Sequence, residues 1–209
     1  MNQEPSSIHI WRFIDGKPGH QNQSLGLIQA LQKRVHCEVN EWEIPSTFFT
    51  RWSWRRKWRC EAEGLAVPDL ILGAGHRTHS MVLRARQRFG GRSVVLMKPS
   101  FPIGWFDLCV VPEHDHVNPH SSIFQVKGVL NTMELSEQSD ASKGLMLIGG
   151  PCRHVEWSDD DVIQQVASVV SASRKVRWEL TTSRRTPDSF LVRLEAKCSS
   201  LNLTVTPVS

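Results

Sequence analysis

Short runs of continuous apolar residues alternate along this chain with stretches whose apolar positions recur every three or four residues. The runs predict strands over residues 8–14, 37–44, 69–73, 93–97 and 106–111. Runs without polar alternation are expected of a parallel sheet covered on both faces. Helical spacing predicts helices over 21–32, across the basic segment 51–59, and over 78–89, where Met81, Val82, Ala85 and Phe89 share a face and Gly90-Gly91 ends the pattern. Each strand leads into a turn rich in Gly, Pro, His or Asp. In open α/β sheets ligands gather at those carboxyl ends.

Residues 131–143, NTMELSEQSDASK, break the alternation with a polar tract and read as a linker. The pattern then restarts, with strands predicted over 145–148, 176–181 and 201–206 and helices over 159–170 and 188–197. Ser158 ahead of Asp159, Asp160 and Asp161 is an N-cap signal, and Pro187 suits the first turn of the next helix. The expected fold class is α/β: a Rossmann-like unit over 1–132, a linker over 133–143 and a second Rossmann-like unit over 144–209. With three strands, the second unit looks incomplete, near the lower size limit of an independent domain. It is expected to leave apolar sheet exposed and to favour self-association.

Composition narrows the setting. The 209 residues are 40% hydrophobic and 22% charged, and no stretch approaches the ~18 consecutive apolar residues of a membrane span. The N-terminal MNQEPSS lacks the basic and apolar regions of a secretory leader, so a cytoplasmic location is the expectation. Five scattered cysteines without a C-x-x-C pair point to neither zinc nor disulfides.

The net charge of +4 is concentrated in RWSWRRKWR, residues 51–59, which leaves 20 basic against 21 acidic residues elsewhere. There Trp52, Trp54 and Trp58 interleave with Arg55 and Arg56, a mixture suited to peripheral attachment at the inner face of an anionic membrane. The plainer alternative is a solvated helix packing its tryptophans on the domain. Nucleic acid is not expected, for want of a base-stacking platform or groove-reading module elsewhere.

The most informative local feature is DGKPGHQNQ, residues 15–23, between the first strand and first helix. Gly16, Lys17, Gly19 and Gln23 lie where unpaired backbone N–H groups meet an anion or a sugar. The G-x-G-x-x-G fingerprint is absent, so a nicotinamide or flavin cofactor is not expected. Asp15 and His20 flank the turn and supply a base for an acceptor hydroxyl, although helix capping explains Asp15 equally well. A second strand-end loop holds Gly75, His76 and Arg77, the arginine serving an acceptor phosphate or a surface salt bridge. Glu113 and His114, followed by Asp115 and His116, are catalytic or acceptor-side candidates, or a structural loop. No paired helical spacing supports a metal there. Gly149-Gly150 allows a diphosphate to approach the backbone or makes an ordinary tight turn. Ser183, Arg184, Arg185 and Thr186 put two guanidinium forks beside two hydroxyls, a diphosphate clamp if they are more than exposed arginines.

Five motifs in one order, DGKPGHQNQSLGL, PDLILGAGHRTH, FDLCVVPEHDH, LIGGPCRHVEW and TTSRRTP, resemble the elongated-mitochondria type of mitochondrial fission family. Bacterial members of that family are often labelled nucleoside-diphosphate-sugar epimerases. The resemblance runs from residue 8 to 187 and implies a GT-B-like arrangement, with the acceptor on the N-terminal unit and a nucleotide sugar or other phosphorylated small molecule on the C-terminal one. It further implies transfer of the sugar to an envelope-associated acceptor, without a metal. Alternatives are epimerisation without NAD, or a non-catalytic membrane-surface scaffold, since plant members are associated with recruiting a dynamin-related protein. Family members normally continue beyond the point matching residue 209, which makes catalysis by this length of chain an open expectation. All five turns are expected to open toward one cleft.

Overall fold

The computed structural model describes residues 7–135, 138–152, 156–198 and 202–207. The chain divides into two compact units, Met1–Glu134 and Leu135–Ser209. The first unit holds β1 (Ile8–Ile14), α1 (Pro18–Gln32), β2 (Cys37–Glu43), α2 (Phe48–Ala62), β3 (Leu70–Ala74), α3 (His76–Phe89), β4 (Arg92–Leu96), β5 (Leu108–Pro112) and β6 (Ile123–Val126). All pairings are parallel, in the order β2-β1-β3-β4-β5-β6.

That order assigns the helices to faces. Parallel crossovers are right-handed, so α1, which carries the chain from β1 outward to β2, covers one face. The helices α2 and α3 carry it back across the sheet and lie on the other. The cores agree. Trp11, Phe13, Ile71 and Val95 pack with Trp58 and Ala62 of α2 and Met81, Val82 and Ala85 of α3, whereas Ile10, Leu72, Ala74 and Leu96 pack with Ile28 of α1.

Two local features bind α1 to the sheet. Arg12, buried on the α1 face, donates from Nε to Ser24 Oγ at 2.9 Å and from its guanidinium to Gln21 O at 2.6 Å, and pairs with Glu41, its register partner on β2. Gly26 lies so close to the segment after β6 that a Cβ there would stand 2.2 Å from Asn131 O, a segment held also by Thr132 Oγ1 donating to Asn22 Oδ1 at 2.8 Å. Overpacking of this kind costs about 1–3 kcal/mol, against the ~1 kcal/mol that alanine gains over glycine in a helix. Gly26→Ala should therefore lower the thermal midpoint; a raised midpoint would show that residues 131–132 are free to move off α1.

The second unit holds β7 (Lys143–Leu147), α4 (Asp159–Ala172), β8 (Arg177–Thr181), α5 (Asp188–Cys198) and β9 (Leu203–Thr206), parallel in the order β7-β8-β9. Successive strands step in one direction, so both crossover helices fall on one face. Ile163, Val166, Phe190 and Leu194 pack there on Leu180 and Met146. On the opposite face Leu145 and Leu147 are 60% and 73% exposed. Ser158 Oγ accepts from Asp161 N at 3.3 Å as the α4 N-cap. The acids that follow are used internally: Asp159 accepts from Trp157 Nε1 and Ser189 Oγ, and Asp160 pairs with Arg193 of α5.

Three expectations are corrected. Helix α1 starts at Pro18 rather than Gln21, because proline suits the first helical position; Gly19 and His20 are helical, not turn residues. Strand β6 escaped prediction because IFQV is a short, half-exposed edge run. Of the tryptophans assigned to a membrane surface, Trp58 is a core residue and Trp54 stacks on it with ring centroids 6.4 Å apart. Positions 54, 58 and 62 share one helical face, and that face meets the sheet. Trp52 alone of the three is open to solvent, at 82%. Residue 201 of the predicted last strand lies outside the described residues. Among the described residues no helix is long and apolar enough to cross a membrane.

Candidate functional site

In the first unit the crossover direction reverses between β1 and β3, the place where open α/β sheets hold ligands. Asp15 directly follows β1 there, with its side chain fully buried. Its carboxylate accepts from Lys17 N at 3.2 Å and meets His20 Nδ1 at 3.0 and 3.1 Å. Arg77 Nε stands 3.8 Å from the same carboxylate. Since a carboxylate only accepts, His20 presents its Nδ1 proton to it. The first turns of α1 and α3 thus supply an imidazole and a guanidinium to one carboxylate.

Gly75 makes this arrangement possible. Its φ of +86° favours glycine, and a Cβ would lie 2.1 Å from His20 Nδ1 and 2.9 Å from Asp15 Oδ2. Gly16, at φ +75°, turns the chain out of β1, while Gly19 has open space around it and no steric need to be glycine. Lys17 and His76 are exposed. Gln23 is buried and donates to Met97 Sδ at 3.4 Å. Met97 directly follows β4 with φ +71°, a left-handed conformation that costs a non-glycine residue about 1–3 kcal/mol and concentrates at functional sites.

Behind the pair, His79 is buried. Its Nδ1 accepts from Ser100 N at 3.2 Å, and its Nε2 has no partner among the described residues. Burial pushes its pKa down to about 4, with His76 and His20 acting in the same direction and Asp15 opposing them. Glu113 and His114 lie beyond β5, three strand spacings or roughly 14 Å from β1, so the fold does not bring them to Asp15 and His20. Both are exposed; the adjacent Asp115 accepts from Lys98 N at 3.3 Å and ties the ends of β4 and β5 together. Among the described residues no cluster could hold a metal ion.

In the second unit the ends of β7 and β8 are neighbours. Gly149 has open space around it, whereas a Cβ at Gly150 would lie 2.1 Å from Arg185 O. The Arg185 backbone, not its guanidinium, meets Gly150. Thr186 Oγ1 donates to Gly149 O at 2.5 Å and accepts from Ser183 N at 2.9 Å, so both hydroxyl residues shape the turn. Arg184 and Arg185 are exposed, with no salt bridge among the described residues.

Sequence reasoning missed His79, Met97 and Arg12. The one available signal was for Arg12, a lone cation within an apolar strand facing a glutamate at matching register.

Comparison with solved structures agrees with this architecture. A Listeria monocytogenes protein provisionally assigned as a UDP-N-acetylglucosamine 2-epimerase aligns with a TM-score of 0.56 and 12% identity, over 98% of this chain and 70% of that one. S. aureus MnaA, solved with UDP, aligns at 0.52 and 12%, over 96% and 69%. The lipopolysaccharide outer core galactosyltransferase WaaB gives 0.44 and 8%, over 98% and 68%. The first two likenesses show a GT-B type of fold. No curated protein sequence matches significantly. The mitochondrial fission ELM1 family description matches residues 18–206, from α1 through β9, and the chain belongs to this family.

Proposed function

We propose that the protein binds a nucleotide sugar through its second unit and transfers the sugar to an acceptor hydroxyl bound at the first. The observation that carries this reading is the buried Asp15 carboxylate paired with the half-buried His20 at the β1/β3 reversal. Asp15 holds the Nδ1 proton, which leaves Nε2 to take the proton from the acceptor hydroxyl as its oxygen attacks the sugar carbon. The nucleoside diphosphate departs as the glycosidic bond forms. Such a base contributes about 10²–10⁴-fold. Arg77 offers positive charge for an acceptor phosphate.

On the donor side, Gly149 leaves the backbone open to a diphosphate, and the exposed Arg184 and Arg185 neutralise the leaving group. The fold neighbour solved with UDP makes uridine diphosphate sugars the first to try. A calorimetric panel of uridine, cytidine and guanosine diphosphate sugars should give saturable binding for one nucleotide class. Heat-silent titrations across the panel would end this reading.

Epimerisation of the same donor without NAD is the second reading, favoured by the fold likeness to the Listeria protein. It predicts a changed sugar in the absence of any acceptor, whereas transfer predicts release of nucleotide only when acceptor is present.

A further inference from the structure

The helices α2 and α3 lie side by side on one face of the first sheet, and between them runs a groove of about 660 Å³. Positions 52, 55, 56 and 59 on α2 and 81, 84 and 88 on α3 share helical spacing and turn toward it. Trp58 and Met81 form an apolar floor that continues into the core. Arg55, Arg56 and Arg59 come from one wall and Arg84 and Arg88 from the other.

Among the described residues one anion, Glu63, pairs with this cationic cluster. Arg88 pairs with Glu63 at 2.6 Å, and Lys57, outside the groove, with Glu61 at 3.7 Å. Arg55, Arg56, Arg59 and Arg84 form no salt bridge among the described residues. Arg55 has its pKa lowered by burial, then by the charges of Arg84 and Arg51. An anion seated between the two walls would relieve that repulsion with charge-assisted, forked hydrogen bonds.

We propose that this groove binds the phosphate headgroup of an anionic membrane lipid, with Arg55, Arg59 and Arg84 on the phosphate and Trp52 at the rim against the start of the acyl chains. Three features favour a lipid. The volume is that of a small-molecule site, not of a trough for a partner helix. The ligand must be anionic at one end and apolar at the other. The exposed Trp52 at the rim suits the headgroup zone of a bilayer, whereas Trp54 and Trp58 are turned inward and offer nucleotide bases no stacking surface. The groove belongs to the first unit alone, and lipid binding there is independent of nucleotide-sugar binding.

Vesicle sedimentation of the full chain tests it, comparing phosphatidylcholine with and without phosphatidic acid. Binding should require phosphatidic acid. Arg84→Ala, outside the basic run of α2, should weaken it about tenfold or more, and Arg59→Ala similarly if the first variant folds poorly. Lys57→Ala removes the same charge outside the groove and should cost at most about fivefold, the share of one cation near an anionic surface. Bromolipid quenching of tryptophan fluorescence should fall in Trp52→Phe, and glycerol phosphate should compete only weakly. Equal losses in the Arg84 and Lys57 variants would reduce the groove to general surface charge and overturn the proposal. So would failure to bind phosphatidic acid vesicles, or Arg84-dependent binding of polyglutamate or nucleic acid in their place.

Discussion

Replacing Asp15 with asparagine should lower glycosyl transfer by about 10²–10⁴-fold, roughly 3–5.5 kcal/mol in the barrier, while leaving nucleotide affinity unchanged. Asparagine keeps the shape and still accepts from Lys17 N, so the β1 turn survives. What it loses is the charge that fixes the His20 tautomer and stabilises the imidazolium formed when Nε2 takes a proton. Because Asp15 and His20 meet at 3.0 Å and act as one unit, His20→Ala should cost a similar amount, and the double variant little more than either single one. Turnover in Asp15→Asn within about threefold of the parent would make the pair a structural cap. Gly75→Ala offers a second approach to the same pair, since its Cβ would displace the imidazole while both titrating residues stay in the sequence.

Acidification should destabilise the first unit through His79. In the folded protein its imidazole stays neutral down to about pH 4; in the unfolded chain it takes a proton near its ordinary value of 6.5. Below 6.5 the unfolded state therefore binds more protons, and stability falls with pH from 6.5 to about 4, then levels off. The contribution is full above 6.5, and the loss approaches about 3 kcal/mol at the lower end. His79→Asn keeps an acceptor for Ser100 N without a proton to gain. Denaturant unfolding at a series of pH values should show a flatter profile across this window in His79→Asn. Parallel profiles in parent and variant would mean that His79 is protonated in the folded state as readily as in the unfolded one.

The fold was largely legible because the cores of both units are built from period patterns that survive without context. Val94, Val95 and Leu96 could be read as a covered parallel strand, and Met81, Val82 and Ala85 as a helix face, from their spacing alone. What stayed hidden depended on positions far apart in sequence. The tryptophans of residues 51–59 looked like one surface feature; the register of α2 on the sheet sends Trp58 inward and Trp52 outward. Asp15 and Gly75 are sixty positions apart, and only the β2-β1-β3 order makes the glycine the neighbour of His20. Glu113 and His114 resembled site residues by type, yet two intervening strands separate them from the Asp15 end of the sheet. Gly149-Gly150 read as one feature and proves to be two, an open position and one pressed on the Arg185 backbone.

A division of labour, with chemistry in the first unit and donor binding in the second, is open to test by one calorimetric series. Uridine diphosphate, or the nucleoside diphosphate that the panel selects, is titrated into the parent, Arg185→Ala and Asp15→Asn. Loss of a charge-assisted contact worth about 1.5–3 kcal/mol should weaken binding by Arg185→Ala roughly ten- to a hundredfold, with Asp15→Asn indistinguishable from the parent. Unchanged affinity in Arg185→Ala, or equal weakening in both variants, would contradict it.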